Sequence, residues 1–580
     1  MTEKQRFIQN PKCCSLVPER VLHVVEQAPV DDESVGGDSF VIGDELQEIS
    51  PETLDEIFRT FRRRAVRNDG SADPIYDAFW PEFAIPLAAT PGDPTALTHL
   101  IPLYRKLDRR VGETEPDRIV CHGLQADYRG VVEDVADGRG VDVDRRSSPR
   151  AALLWGLVAA LLKFSLLAVD QLAVLATRPF RDSPGPAETV FVPNVNRLGS
   201  LKPVIESTTG EFRVVVPNFS VPFRDRDIDL DVDERRIDPI TAYTSGRSML
   251  TQVRVFGRTM SDLLVRRTLQ SDLTEFVAAE HGVEMPRTVD HCVANLAPTL
   301  NALPFASLMN EVVRRSGCSA AVFGSMGPKQ LGMLRSAQRS GVRTYHVPHT
   351  ATTGYEPLPS RETVHFAPSR VAVDHFEASD QVDSASNVVP AGRPYLAEVG
   401  PPDRSRIATE EPLRFVIATQ PFRDEIREAF VAEVIAHLEA VEADTEVVIK
   451  IHPNEEPQFY DRFRVESDRV TVQEEGLFDL LRSADLTFTI NSNVGLESMV
   501  LGTPTCCVNL WSPIVRIRPY AEYGPVPALR SSDALSSFAD GLSVEEIDRM
   551  TDEQTEYVEE SYVLDPDCSE RIAATISDDT

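Results

Sequence analysis

At 580 residues the chain exceeds what one hydrophobic core supports, so two or three domains are expected. Its 91 acidic against 59 basic residues give a net charge of -32, which excludes a general affinity for nucleic acid backbones. Lysine stands only at positions 4, 12, 106, 163, 202, 329 and 450, so the positive charge is nearly all arginine; such a chain reads as halophilic, kept soluble in concentrated salt.

The leading MTEKQRFIQNPKCCSLVPER lacks an apolar run of signal-peptide type. The eight cysteines include the adjacent pairs Cys13-Cys14 and Cys506-Cys507 but no C-x-x-C spacing. A reducing compartment is expected, hence a cytoplasmic protein with neither a disulfide framework nor a zinc site. Residues 1–40 close on DDESVGGDS and read as a flexible lead-in. Residues 41–150 read as an N-terminal α/β region of unknown role. In it a helix starts at Ser50-Pro51 and a second covers 94–110; DRIVCHG, a helical stretch from Gln125 to Ala136 and GVDVD follow as β-α-β.

Residues 151–177, AALLWGLVAALLKFSLLAVDQLAVLAT, form the most apolar segment, long enough to cross a bilayer, for which about 20 residues suffice. Lys163 and Asp170 interrupt it, and a crossing would put acidic halves on opposite sides of the membrane, so a span is disfavoured. Two readings stand for the 151–178 helix: it lies in a membrane interface at the inner face, or it is a buried link between soluble units.

From Thr189 a regular strand and helix alternation begins. Residues 189–400 read as a Rossmann-like domain interrupted by a long helical region near 245–315, and 401–411 as a linker. Residues 411–530 read as a second such domain, followed by C-terminal helices over 531–580. Strands separated by helices, without hairpin signals, predict an α/β fold of two parallel sheets, each covered on both faces, facing a cleft. Ligands of such sheets sit at the carboxyl ends of the strands.

That rule selects Thr419, Gln420 and Arg423 after LRFVIA; Lys450 and His452 at the end of TEVVIKIHP; and Asn491, Ser492, Asn493 and Glu497 after ADLTFTI. Asn-Ser-Asn would cap the helix starting near Val494, where free N–H groups and the positive helix end favour an anion, with Gly495 permitting close approach. The ordinary alternative is a plain N-cap. His452, partly cationic, could donate to a phosphate. In the first sheet, YHVPHTATTGYEP brings His349 to a loop mouth after His346, the best-placed general base in the chain. Gly324-Ser325 and Gly392-Arg393-Pro394 close neighbouring segments, with ordinary turns as the simpler reading for Gly324.

KIHPNEE and NSNVGLESMVLGTPT, preceded by VRTYHVPHTATTGYEP and VVPAGRP, resemble two-domain GT-B glycosyltransferases. The closest likenesses are enzymes of surface and capsular polysaccharide assembly and CDP-glycerol glycerophosphotransferases. The resemblance covers roughly 189–520. It implies nucleotide contacts from His452, Asn491, Ser492 and Asn493, a ribose or base contact from Glu497, and His349 as base, although Thr350 stands where the family has glycine. It implies no cofactor and no metal: the nucleotide-sugar is a substrate, and phosphate charge falls to helix N-termini, His452 and Arg423. Acidic triplets such as Asp227-Ile228-Asp229 read as solvated surface. The expected activity is transfer of a sugar from a nucleotide-sugar to a glycan or lipid-linked acceptor. The alternatives are a CDP-linked phospho-polyol transferase, a UDP-N-acetylglucosamine 2-epimerase-like enzyme, whose Ser-Gly-Gly turn is replaced here by Asn-Ser-Asn-Val-Gly, and a non-catalytic scaffold of glycan assembly.

Overall fold

A computed structural model describes residues 21–25, 38–42, 96–122, 124–144, 148–177, 184–193, 201–217, 230–324, 327–348, 362–378, 387–397, 412–422, 424–438, 444–466, 469–510, 519–522 and 524–578, with isolated positions between them. Three all-parallel sheets organise the chain.

The first has four strands, β1 (Val21–Val25), β2 (Asp38–Val41), β3 (Arg118–His122) and β4 (Asp142–Val143), in the order β2-β1-β3-β4. Two of these strands fall within or at the end of residues 1–40, where a lead-in was expected. Leu22 and Val24 are fully buried, so VLHVV is a central strand whose five residues are too short to stand out beside the polar stretch after it. The expected helix start at Ser50-Pro51 lies outside the described residues.

The second sheet comprises β5 (Thr189–Val192), β6 (Phe212–Val216), β7 (Ile237–Pro239), β8 (Ala320–Phe323), β9 (Arg343–His346), β10 (Val364–Ala367) and β11 (Val388–Pro390), in the order β11-β10-β9-β8-β5-β6-β7. The third comprises β12 (Leu413–Ala418), β13 (Thr445–Lys450), β14 (Val470–Gln473), β15 (Leu486–Thr489), β16 (Thr505–Val508) and β17 (Ala528–Leu529), in the order β14-β13-β12-β15-β16-β17. Counted from its own first strand, the third runs 3-2-1-4-5-6, the doubly wound order, and the second runs 3-2-1-4-5-6-7, the same order with one more strand at its end, so each has a crevice between its first and fourth strands. The central strands are buried almost throughout because helices cover both faces, which is why LRFVIA and LTFT are continuous apolar or β-branched runs.

The helical region between β7 and β8 contains the helices Gly246–Ser261, Thr268–His281, Pro286–Leu296 and Leu303–Ser316. It shares one apolar core with the first sheet and the helix Pro149–Thr177. The second and third sheets are tied together by the chain's end. Ser369 and Tyr562 form an antiparallel bridge, and Ile572, Ala573 and Ile576 of the last helix, Cys568–Asp578, enter the core of the second sheet. Gly392, at φ 88°, lies where the Val563 carbonyl passes 2.6 Å from the position a Cβ would take. The Gly-Arg-Pro segment is thus a crossing point that only glycine fits.

The helix Pro149–Thr177 is neither fully buried nor free. Leu153, Leu157, Ala160, Leu167, Gln171 and Val174 are buried in steps of three, four and seven, a seam along the helical layer, while the opposite face is exposed. By length and composition it is the one helix among the described residues that could cross a membrane.

Candidate functional site at the switch point of the C-terminal sheet

β12 and β15 are adjacent, and the chain leaves them in opposite directions along the sheet, which opens the crevice at their carboxyl ends. Polar side chains just beyond these strands meet across it. Gln420 Nε2 donates to Asn491 Oδ1 at 2.7 Å, and the Asn491 backbone N–H donates to Gln420 Oε1 at 2.9 Å. Two amides that satisfy each other hold the two loops at fixed separation.

The loop after β13 is tied to the same edge. His452 to Glu455 form a turn in which the Glu455 N–H donates to the His452 carbonyl at 2.9 Å, with Pro453 in the position where a fixed φ helps. The Glu455 carboxylate then folds back beneath the turn. It accepts from the His452 backbone N–H at 3.0 Å, the Tyr460 hydroxyl at 2.9 Å, the Arg427 guanidinium at 3.2 Å and the Thr419 hydroxyl. Its side chain is 1 % exposed, so every one of these bonds is made away from water. The strand-end rule reaches Glu455, the last residue of His452-Pro453-Asn454-Glu455, but gives it no role; the signal available was an acid at the last position of a Pro-containing turn.

The turn orients His452. Its Nδ1 accepts from the Asn454 N–H at 3.1 Å, which assigns the ring proton to Nε2 and makes that nitrogen a donor. Burial, reinforced by Lys450 and opposed by Glu455, holds its pKa below the ordinary histidine range. The expected partly cationic imidazole is therefore a neutral donor at pH 7.

Other expected site residues have their donors taken up by the fold. Lys450 is buried, and its ammonium donates to the carbonyls of Ile451 at 2.9 Å and Glu474 at 2.6 Å. Desolvation lowers its pKa. Thr419 serves the Glu455 carboxylate. Glu497 is buried, and its Oε1 accepts from the Tyr395 hydroxyl at 2.6 Å, which joins the helix Val494–Val500 to the segment leaving the second sheet. Arg393 lies over the Tyr395 ring at 4.5 Å.

The helix after Asn-Ser-Asn is seven residues long, and Asn493 at its cap makes no side-chain cap bond. Ser492 Oγ accepts from the Val494 N–H at 3.2 Å instead, the Ser492 carbonyl from Gly495, and the Asn493 carbonyl from Glu497. The expected row of open N–H groups is therefore largely used within the loop, and the Ser492 hydroxyl hydrogen is what the turn offers. Gly495 answers to packing. A Cβ there would meet Tyr520 Oη at 2.6 Å and Cζ at 2.9 Å, and that hydroxyl donates to the Ser492 carbonyl. Gly495→Ala is expected to destabilise the protein by about 1–3 kcal/mol, read as a lower urea midpoint. Tyr520→Phe in the same background should recover some of the loss.

His349, Arg423, Ser325 and the Asp227–Asp229 triplet lie outside the described residues. At the end of β9, His346 and His365 face each other, Nδ1 to Nδ1 at 2.8 Å, both buried. Burial lowers both, His365 to about 3, so the pair is neutral and packed into the sheet. Beside the His452 turn opens a cavity of about 400 Å³, lined by Pro421, Phe422, Asp424, Arg427, Asn454 and Phe459 among others. It lies on the Arg427 side of the turn, and neither His452 nor Ser492 lines it.

No family model matches the chain, and no curated protein matches it. Among solved structures, the chain is similar to a putative UDP-N-acetylglucosamine 2-epimerase from Listeria monocytogenes, at 14% identity over 67% of this chain and 96% of that chain, with a TM-score of 0.43. It is similar to the UDP-GlcNAc 2-epimerase of Methanocaldococcus jannaschii in complex with UDP-GlcNAc and UDP, at 11% identity over 67% and 99% of the two chains, with a TM-score of 0.40. It is also similar to the wall teichoic acid polymerase TagF, at 10% identity over 74% and 98%, with a TM-score of 0.35. The likeness is one of fold, to enzymes of the GT-B type expected from the sequence, and at these scores no functional argument rests on it.

Proposed function

We propose that the chain is a glycosyltransferase whose nucleotide-sugar donor places its phosphates at the crevice between β12 and β15. The observation that carries this reading is the Gln420–Asn491 pair across that crevice, with Ser492 next along the same loop and, on the neighbouring strand end, the His452 turn fixed by a buried carboxylate. In the reaction an acceptor hydroxyl oxygen bonds to the anomeric carbon, the carbon–oxygen bond to phosphate breaks, and the electron pair leaves on the nucleotide. Neutral donors held in place before the reaction stabilise that developing charge without reorganising. The crevice is preferred to the neighbouring cavity because the ends of β12 and β15 are joined across it at the switch point, whereas the cavity is lined only by residues that follow β12 and β13. His349 remains the proposed base for the acceptor, a glycan or lipid-linked sugar.

Thermal shift with UDP, GDP, CMP, CDP and dTDP at high salt tests the reading. A bound nucleotide at 100 times its dissociation constant adds about 2.7 kcal/mol. His452→Ala is expected to weaken that nucleotide at least about tenfold, the cost of one hydrogen bond to a charged group, with the unliganded protein still folded. No shift with any nucleotide would overturn the proposal. A response confined to CDP would redirect it to phospho-polyol transfer, and isomerisation of UDP-GlcNAc followed by NMR would redirect it to an epimerase.

A further inference from the structure

The exposed side of Pro149–Thr177 does not stand alone. Phe164 stacks on Phe256 at 4.5 Å between ring centroids, and Gln171 Nε2 donates to Gln252 Oε1 at 2.9 Å. These two contacts lay the helix Gly246–Ser261 antiparallel beside it and bring the following turn, Asp262–Arg266, toward its N-terminal half. The side chains both segments turn outward are large and apolar: Trp155 is 75 % exposed, Leu162 62 %, Val169 65 %, Leu250 75 % and Val265 77 %. One such residue is ordinary on a soluble protein, but a face this wide marks an interaction surface.

Charge identifies what it meets. Arg150, Lys163, Arg247, Arg254, Arg258 and Arg266 are exposed on the same two segments, while their acidic residues, Asp170 and Asp262, are both buried. In a chain of net charge -32, this face carries exposed cations and no exposed acid among its described residues. Apolar side chains with interspersed arginines, on helices lying side by side, match the boundary between acyl chains and anionic headgroups. A second copy of this chain would instead set the six cations against six like charges around a two-fold axis.

We propose that this two-segment face seats the protein on an anionic lipid surface, with Pro149–Thr177 parallel to the membrane plane. The inference is independent of the transferase reading, because none of its residues lies at the switch point.

Flotation of the full chain with vesicles of phosphatidylcholine, and with equimolar phosphatidylcholine and phosphatidylglycerol, tests it. The chain should float with the anionic vesicles. The triple variant Trp155→Asp, Leu162→Asp, Val265→Asp should lower the bound fraction at least about tenfold, since each site loses the burial of a large apolar side chain. All three positions are exposed, so an unchanged circular dichroism spectrum should accompany the loss. Arg247→Glu with Arg266→Glu should reduce binding toward the level seen with neutral vesicles and weaken its salt dependence. Wild-type protein that stays unbound with both vesicles would overturn the proposal, as would a triple variant that floats like wild type. So would a wild-type dimer in lipid-free solution that the triple variant converts to monomer, because a second copy would then cover the face.

Discussion

Replacing Glu455 by alanine is expected to cost about 3–5 kcal/mol of stability, the range for removing one partner of a buried ion pair. The carboxylate is 1 % exposed and serves Arg427, Tyr460, Thr419 and the His452 backbone at once, so its loss removes the one acceptor that joins these four donors. Urea unfolding followed by circular dichroism should show a lowered midpoint. Glu455→Gln, which keeps an acceptor but no charge, should fall between wild type and Glu455→Ala. A midpoint within error of wild type would mean that the turn is held by Pro453 and the backbone alone. Glu455 sits under the turn and not on its outer side. Any loss of nucleotide affinity in the glutamine variant would therefore come through a misplaced imidazole, and a variant with normal affinity would show His452 to be positioned without it.

A pH effect of comparable size is expected at the contact between the first sheet's helix Ala126–Arg139 and the helical layer. Asp134 is 4 % exposed and accepts from the Thr288 N–H and hydroxyl and from the Arg287 N–H, which places it over the start of the helix Pro286–Leu296. Burial outweighs these donors and pushes its carboxyl up to about 6 from 3.8. Between those two values the folded state binds more protons than the unfolded one, so stability falls as pH rises through this window. At about 1.4 kcal/mol per pH unit the change amounts to about 3 kcal/mol, fully felt above pH 6. Unfolding midpoints measured from pH 4 to 7 should therefore decline toward neutrality. Asp134→Asn, which cannot titrate, should flatten that decline whatever constant offset it introduces. A variant with the wild-type slope would place the titration elsewhere.

What could be read without a structure was whatever depends on local pattern. Continuous β-branched runs such as LRFVIA and LTFT announce strands buried on both faces, and their alternation with helices announces parallel sheets. The rule for strand ends then selects the loops carrying Gln420, His452 and Asn491. Gln420 and Asn491 do meet across the crevice, and the His452 turn is tied to the same sheet edge through the Thr419 hydroxyl, because the doubly wound strand order follows from connectivity that the alternation already implies. Residues 21–25 and 38–41 escaped because strands of four or five residues carry too little pattern to be separated from the polar chain around them.

Only tertiary packing decided which polar side chain faces the crevice and which serves the scaffold. Lys450 and His452 alternate along one strand end, yet the ammonium closes the β13–β14 edge while the imidazole stands on the turn. Gly495 makes room for Tyr520, and Glu497 reaches a tyrosine 102 residues away. The apolar run 151–177 specified a long helix. Which of its faces would be covered depended chiefly on the helix Pro286–Leu296 and the turn after it, more than a hundred residues later, and no local periodicity in a uniformly apolar segment records that choice. Distance along the chain is the common reason: hydrogen-bond partners and packing neighbours far apart in sequence leave no mark on the pattern of either segment.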